Sequence, residues 1–298
     1  MNIHSFLDKD TETFTHVLVD TASKHCAIID PVLDFDPAAG KISYDNANNV
    51  IGFVKSQGLT LDYIIETHAH ADHLSSAPYI KAQLGGKTVM GKYIDKVQKT
   101  FKTIFNFDDL ATDASQFDIL TEEGSELTLG DLSITAMHVP GHTPADMAYK
   151  VTDKSAGKEK MAVFVGDTIF APDVGSARCD FPHGSAEDLY DSIQRLLALP
   201  DDTLLYLCHD YPPKGGREHI ATVCVGEQKL RNIHVKQGTP KAEFVRMRNQ
   251  RDKTLAMPRL ILPSVQVNIN AGELPKPEDN GVRYLKIPLN QLSQNKEE

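Results

Sequence analysis

"ETHAHADHLSSA", Glu66 to Ala77, places three histidines and one aspartate within six consecutive positions: His68, His70, Asp72 and His73. Imidazole and carboxylate are the groups that hold borderline first-row metal ions, so this density argues for metal binding over a capped, solvated loop. In an extended segment alternate residues share a face, which lets His68 and His70 aim at one point, while Asp72 and His73 follow in the next turn and aim at a neighbouring one. One short segment can thus serve two adjacent sites. It lies between "DYIIET", which reads as a buried strand, and "SSAPYIKAQLG", which reads as a helix with a serine cap and an early proline.

The other ligands have to come from distant parts of the chain. His142 in "VPGHTP", Asp167 in "VFVGDTIF" and His209 in "LYLCHDY" each follow an apolar run that reads as a strand, where side chains emerge at the rim of a sheet and Gly or Pro permits a tight turn. Each alone is more often a turn residue than a ligand. Together with the first cluster they point to a metal centre assembled at strand ends.

Around these points short β-branched runs alternate with helical patterns, the signature of mixed α/β layers. "HVLVD" and "CAIID" read as strands, and "NANNVIGFVKSQGL" as a helix ending near Gly58. "SELTLGDLSITAMHVP" alternates on both sides of Gly130-Asp131 and reads as a hairpin, and "DMAYKVTD" and "KMAVFVGD" as a strand pair joined by the polar loop "KSAGKEK". "SAEDLYDSIQRLLALP" reads as an amphipathic helix, "TLLYLCHD" as a strand and "HIATVCVGEQKLRN" as a helix. From about Lys241 the texture changes to a charged helix, "KAEFVRMRNQRDKTL", then a stretch containing Pro258, Pro263, Pro275, Pro277 and Pro288, and finally a polar tail, "SQNKEE". The expected organisation is a catalytic domain over 1–240 and a C-terminal extension over 241–298 packed on the same body, since that extension is too small for its own core.

Bulk composition narrows the partners. With 41% hydrophobic and 24% charged residues in 298, the chain can bury a substantial core. A net charge of -10 argues against a broad nucleic-acid surface but leaves room for a local anion pocket. No apolar run approaches the ~20 residues that span a bilayer, and the opening "MNIHSFLDKDTETF" lacks the basic and apolar regions of a secretory signal, so a cytoplasmic protein without membrane partners is expected. Cys26, Cys179, Cys208 and Cys224 are widely spaced, which suggests reduced thiols and not a disulfide framework.

The order His68-x-His70-x-Asp72-His73, His142, Asp167, His209 resembles the metallo-β-lactamase superfamily, which implies a four-layer αββα sandwich with the site at one edge of two sheets. Three further stretches resemble its persulfide dioxygenase branch, of the ethylmalonic encephalopathy protein type, more than the related glyoxalase II thioesterases. They are "GSARCDF" after Asp167, "HDY" at His209 and "NINAGELPKP" near the end. That resemblance implies one Fe(II) per chain held by His68, His142 and Asp167, with His70, Asp72, His73 and His209 orienting ligands and water. It also implies oxidation of glutathione persulfide by O2 to sulfite and glutathione. The glyoxalase II alternative is a hydrolase of glutathione thioesters with two Zn(II) per chain and all seven residues as ligands; a non-catalytic metal-containing binding or redox-sensing module is the third reading.

Glutathione carries two carboxylates, so fixed cations are expected in its site. Arg178 is the first candidate, because a guanidinium grips a carboxylate through two hydrogen bonds, although a salt bridge to Asp180 is an equal alternative. Tyr211 is a candidate for the peptide or simply a wall of the pocket, and Lys214 and Arg217 in "PPKGGRE" are further candidates, or plain surface charges. Cys179 and Cys208 flank the site in sequence, but a cysteine within a strand is more often a small core residue than a nucleophile. The Pro-rich tail offers a surface for a homo-oligomer.

Overall fold

The computed structural model describes residues 1–153 and 160–292. Apolar β-branched runs near the N-terminus form β1 (Asn2–Asp8), β2 (Thr13–Val19) and β3 (His25–Ile29), antiparallel neighbours in one sheet. β4 (Val32–Asp36), β5 (Lys41–Ser43) and the helix α1 (Asp45–Ser56) lead to β6 (Thr60–Ile65), which pairs parallel with β3. β7 (Leu74–Ser75) joins β4 and β5 in a small third sheet. α2 (Ala77–Leu84), β8 (Lys87–Gly91), α3 (Ile94–Phe105) and β9 (Ile119–Thr121) then complete the first sheet, in the order β1-β2-β3-β6-β8-β9.

The second sheet has six strands in sequence order: β10 (Glu126–Leu129), β11 (Leu132–His138), β12 (Met147–Asp153), β13 (Lys160–Phe164), β14 (Leu204–Tyr206) and β15 (Thr222–Cys224). The hairpin turn falls at Gly130-Asp131, as the alternation predicts. α4 (Ala186–Leu197), α5 (Val225–Arg231), α6 (Lys241–Asp252) and α7 (Ile261–Asn268) supply the remaining helices. The two sheets stack through Leu18, Ile29 and Ile65 on one side and Ile134, Tyr149 and Phe164 on the other. α1 and α2 cover the outer face of the first sheet and α4 that of the second. This is the expected αββα order of layers.

Three local features differ from the sequence reading. The run 219–232 is not one helix: Thr222, Val223 and Cys224 pair antiparallel with β14, because β-branched residues complete the sheet edge before the helix begins. The Pro-rich stretch contains α7, and Pro263 is tolerated there because it sits in the first turn, whose N–H groups have no intrahelical partner. Ser76 stands at the N-cap of α2 without capping it; the Ser75 hydroxyl instead accepts from the Ala77 N–H and donates to Glu66. The expected loop 154–160 falls almost wholly, and the tail 293–298 entirely, outside the described residues. Among those residues, no helix is long and apolar enough to cross a membrane.

Strand direction positions the site. β11, β13 and β14 run the same way, so the loops that follow them, carrying His142, Asp167 and His209, emerge at one edge. Two seams join this sheet to the first near that edge. Phe14 N–H donates to the Cys208 carbonyl at 2.7 Å, and Met147 N–H donates to that of Thr67 at 2.9 Å. A third contact is a side chain: His16 of β2 donates from Nε2 to the Leu207 carbonyl at 2.9 Å, while Ser5 Oγ lies 2.9 Å from its Nδ1.

Burial pushes the pKa of His16 from 6.5 down to about 4, so the folded protein holds this ring neutral. The unfolded chain binds a proton that the folded chain refuses, and stability falls as pH drops through that interval. Between pH 7 and pH 5 the loss from this group is about 2 kcal/mol. Urea unfolding of chelator-treated protein should therefore show His16→Gln losing less stability over that range than the parent, by roughly this amount. Parallel pH profiles for the two proteins would remove His16 from the account.

Candidate metal centre

The residues singled out in the sequence meet at the common edge of the sheets. His68, His142 and Asp167 form one group and His70, Asp72 and His73 another, each with one ligand atom per residue lying within 4.8 Å of the others. His68 Nε2 is 3.9 Å and His142 Nε2 3.7 Å from Asp167 Oδ2. The other oxygen, Oδ1, is 3.3 Å from His209 Nε2, and that nitrogen is 3.2 Å from Asp72 Oδ2. Asp167 therefore faces both groups.

Each imidazole is fixed at one nitrogen and leaves the other for the site. The Thr67 hydroxyl donates to Asp30, so it accepts from His68 Nδ1 at 3.0 Å and leaves Nε2 with a lone pair. His70 Nε2 donates to Asp30 Oδ1 at 3.0 Å. His73 Nδ1 donates to the Leu74 carbonyl at 3.1 Å, and His142 Nδ1 to that of Arg178 at 2.8 Å. His209 Nδ1 is held by Thr13 Oγ1 at 3.1 Å.

The atoms left over test whether a metal fits. His68 Nε2, His70 Nδ1, His73 Nε2, His209 Nε2 and Asp167 Oδ1 are buried without hydrogen-bond partners. An unsatisfied buried polar group costs ~1–3 kcal/mol, and five such atoms in one cluster are what a divalent cation would satisfy. Burial, with help from neighbouring imidazoles, holds His68 well below the ordinary histidine pKa and pushes His73 down to about 4, so both present lone pairs. Burial also opposes charge on His70 and His209, yet Asp30 lifts the first and Asp72 and Asp167 lift the second well above the ordinary value. Positive charge is in demand there, and the donor set of imidazoles and carboxylates suits zinc, iron or manganese.

Backbone constraints bring these loops together. Gly141 (φ +145°) lies against the Leu189 backbone, where a Cβ would come within 2.4 Å, and Gly166 (φ +51°) packs on Thr67, where a Cβ would meet Oγ1 at 2.8 Å. Only glycine permits both approaches. The C-terminal region takes part as well. Asn268 of α7, buried, donates from Nδ2 to the carbonyls of His70 and His73, both at 2.8 Å, and accepts from Ser75 N–H at 2.9 Å. Asp252 of α6 accepts from Cys179 N–H at 2.8 Å and is ion-paired with the buried Arg248.

A cavity of about 540 Å³ opens beside the centre, with Asp72, His142 and Asp167 on its wall. Arg178 and Tyr211 also line it; Lys214 and Arg217 do not. The Arg178 guanidinium is bidentate to Asp180 and donates to the Ala256 carbonyl at 2.7 Å, so the salt bridge weighed from sequence is present. Tyr211, 39% exposed, stacks on His209 with ring centroids 5.6 Å apart. Arg217 clamps Asp173 and Asp210, and Lys214 is exposed. Cys179 and Cys208 are buried, and burial pushes both thiols up, which suits core residues and not nucleophiles. Sequence reasoning missed the roles of Thr13, Asp30 and Asn268, the last of which opens the stretch "NINAGELPKP" without being singled out there, and missed Arg251 and Arg259, which line the cavity from the charged helix and the segment after it.

Residues 15–209 match the metallo-beta-lactamase superfamily, and the chain belongs to it. It is 49% identical over 295 residues to a probable metallo-hydrolase of Burkholderia pseudomallei, covering 98% of this chain and 100% of that one. It is 46% identical over 294 residues to glyoxylase B2 of Dictyostelium discoideum, covering 98% of each. Human mitochondrial persulfide dioxygenase ETHE1 is 28% identical over 262 residues, 87% of this chain and 84% of its own. The crystal structure of ETHE1 from Myxococcus xanthus aligns with a TM-score of 0.71 at 27% identity, over 92% of this chain and 100% of that one.

The Asn268 contacts predict that Asn268→Leu, which removes both donors and the acceptor at similar volume, lowers metal affinity by ~10–100-fold. Competition with a chromophoric chelator measures this, with far-UV circular dichroism as the check on folding. Unchanged affinity in a folded variant would show that α7 does not organise the loop.

Proposed function

We propose that this chain is an iron-dependent dioxygenase that oxidises glutathione persulfide, with one Fe(II) held by His68, His142 and Asp167. The observation that carries the reading is the convergence of two imidazoles and one carboxylate, from three separate loops, beside an open cavity. Two imidazoles and one carboxylate would suit a non-haem ferrous ion and would leave it room for a substrate sulfur and dioxygen. Ferrous iron, when bound, supplies the electrons for dioxygen activation that redox-inert zinc cannot.

The reaction balances as glutathione persulfide, O2 and water giving glutathione, sulfite and two protons: the outer sulfur gives up four electrons and dioxygen takes them, while the S–S bond breaks. The chain's own groups would orient the reactants. His142 is held in place by the Arg178 carbonyl and His68 by Thr67. His70, Asp72 and His73, with His209 beside Asp72, would fix water at the second group of donors. Tyr211 and Arg178 form part of the wall against which the peptide would lie. The likeness to ETHE1 of Myxococcus xanthus over the whole of that chain supports the reading. The unpaired thiols suit a reducing compartment, and the cytoplasm is the proposed location.

A second reading is favoured by a specific observation. His70, Asp72 and His73 form a second group of donors, His209 Nε2 lies between Asp72 and Asp167, and glyoxylase B2 is 46% identical. That reading is a dizinc hydrolase of glutathione thioesters, in which the metals, when bound, would supply an activated water.

Anaerobically purified protein should contain one iron per chain and consume O2 when given glutathione persulfide, and His142→Ala should lose both the iron and at least ~100-fold of the activity. Two zinc ions with thioester hydrolysis and no O2 uptake would replace the first reading with the second. Absence of both activities would leave a binding module.

A further inference from the structure

A second, smaller cavity of about 210 Å³ adjoins the first. The two meet at Ala71, His142, Arg178 and Pro258, which stand on both walls, so His142 is reached from two sides. The walls differ in kind. Four aspartates and four arginines line the larger cavity. In the smaller one, His142 apart, the charged side chains among the described residues are Arg178 and Asp180, and these are bidentate to each other. Thr100 and Gln291 are its neutral polar members. The rest of its wall is apolar, chiefly Ile104 of α3, Ile261 at the start of α7, Phe181, Met257 and Leu292.

This apolar surface is continuous from the core to the metal centre. Phe181 follows Asp180 in the chain, and its ring centroid lies 5.4 Å from that of Phe101 in α3 and 5.9 Å from that of His142. At the other end Met257 is 38% exposed, so the pocket reaches solvent between α6 and α7. A volume of about 210 Å³ is below the ~300–1,000 Å³ usual for drug-sized ligands, yet above that of an engineered apolar cavity of ~150 Å³ that stays dry and binds xenon or benzene.

We infer that this side pocket is the entrance for dioxygen, which passes Met257, Ile104 and Phe181 to reach the donor trio at His142. The inference rests on the proposed function, whose two substrates differ in polarity: one is an ionic peptide, the other a small uncharged gas. Dioxygen gives up no strong hydrogen bonds on leaving water, so an apolar wall favours it, whereas an ion or a peptide group would lose hydration there without replacement. A peptide seated in the larger cavity covers the centre from that side and leaves the smaller pocket open. The two substrates then need not pass one another.

The test uses zinc-loaded full chain, which is diamagnetic and does not reduce dioxygen, with labelled isoleucine methyl groups and O2 itself as the probe. Under O2 pressure the paramagnetic relaxation enhancement at Ile104 and Ile261 should exceed severalfold that at Ile287, which is exposed, and at Ile64, which is buried in a different apolar cluster. M257W, which narrows the mouth, and I104W, which fills the interior, should each remove the excess at Ile261. In iron-loaded protein each should raise the KM for O2 by roughly tenfold, with iron content and the KM for glutathione persulfide unchanged. M257L, which keeps an apolar mouth of similar size, should behave as the parent. An enhancement at Ile104 and Ile261 no greater than at Ile287, or an unchanged KM for O2 in both tryptophan variants, would overturn the inference. So would shifts of these methyl groups on addition of S-hexylglutathione, a stable thioether, without any dioxygen excess, which would assign the pocket to the acyl arm of a thioester. O2 uptake by the parent without enrichment at these methyl groups removes this inference and leaves the dioxygenase reading standing. Enrichment without uptake removes the dioxygenase reading and leaves the pocket a site that takes up dioxygen.

Discussion

The Asp30 carboxylate accepts from the Thr67 N–H at 2.7 Å, the Thr67 hydroxyl at 2.9 Å and His70 Nε2 at 3.0 Å, and the Cys208 thiol lies 3.7 Å from it. Its residue sits in the left-handed region (φ +51°) directly after β3, with its own N–H bonded to the Ile65 carbonyl at the end of β6. Burial disfavours the charge, but His70 and Thr67 outweigh that cost and hold the carboxyl below its usual pKa. One anion thereby sets the orientation of His68, through Thr67, and of His70 directly. It also touches the strand end that carries His209. Fully satisfied, such a buried network specifies a single geometry; with a member missing, it leaves unpaired groups in a low-dielectric interior.

Asp167 extends this logic from orientation to charge. Because its two oxygens face different donor groups, a cation in either group weakens the attraction that the same carboxylate exerts on a cation in the other. The two groups are therefore not independent sites. Were one ion in place, a second would meet only the negative charge left at Asp72 and Asp167. Both readings of the chemistry use the same seven side chains for this reason, and the surrounding charges matter more than the ligand list.

Much of the centre was legible in the sequence because its ligands are dense, polar and placed directly after apolar runs. His68, His70, Asp72 and His73 lie in one segment, and His142, Asp167 and His209 follow strands that share a direction. Alternation of short strands and helices gave only mixed α/β layers, and the αββα order was implied by the resemblance to the metallo-β-lactamase superfamily. What holds the ligands in place was not legible. Thr13, Asp30 and Asn268 are ordinary residues in local terms, and Asn268 meets His70 across 198 positions of sequence. The edge strand at Thr222–Cys224 was hidden because three residues are too few to show a period before a helix begins. The arginines of the cavity are a related case: nothing local separates Arg178, paired with its neighbour but one, from Arg251 and Arg259, which are left open.

The grip of α7 on the histidine loop has a bearing on biosynthesis. The first donor cluster leaves the ribosome early, but the amide that holds its carbonyls arrives 198 residues after His70. Until then the loop lacks the two hydrogen bonds that fix the His70 and His73 carbonyls, and an ion captured by the nascent chain would meet imidazoles held less firmly. An ion that enters after α7 has been made would instead meet a loop whose carbonyls are already fixed by Asn268.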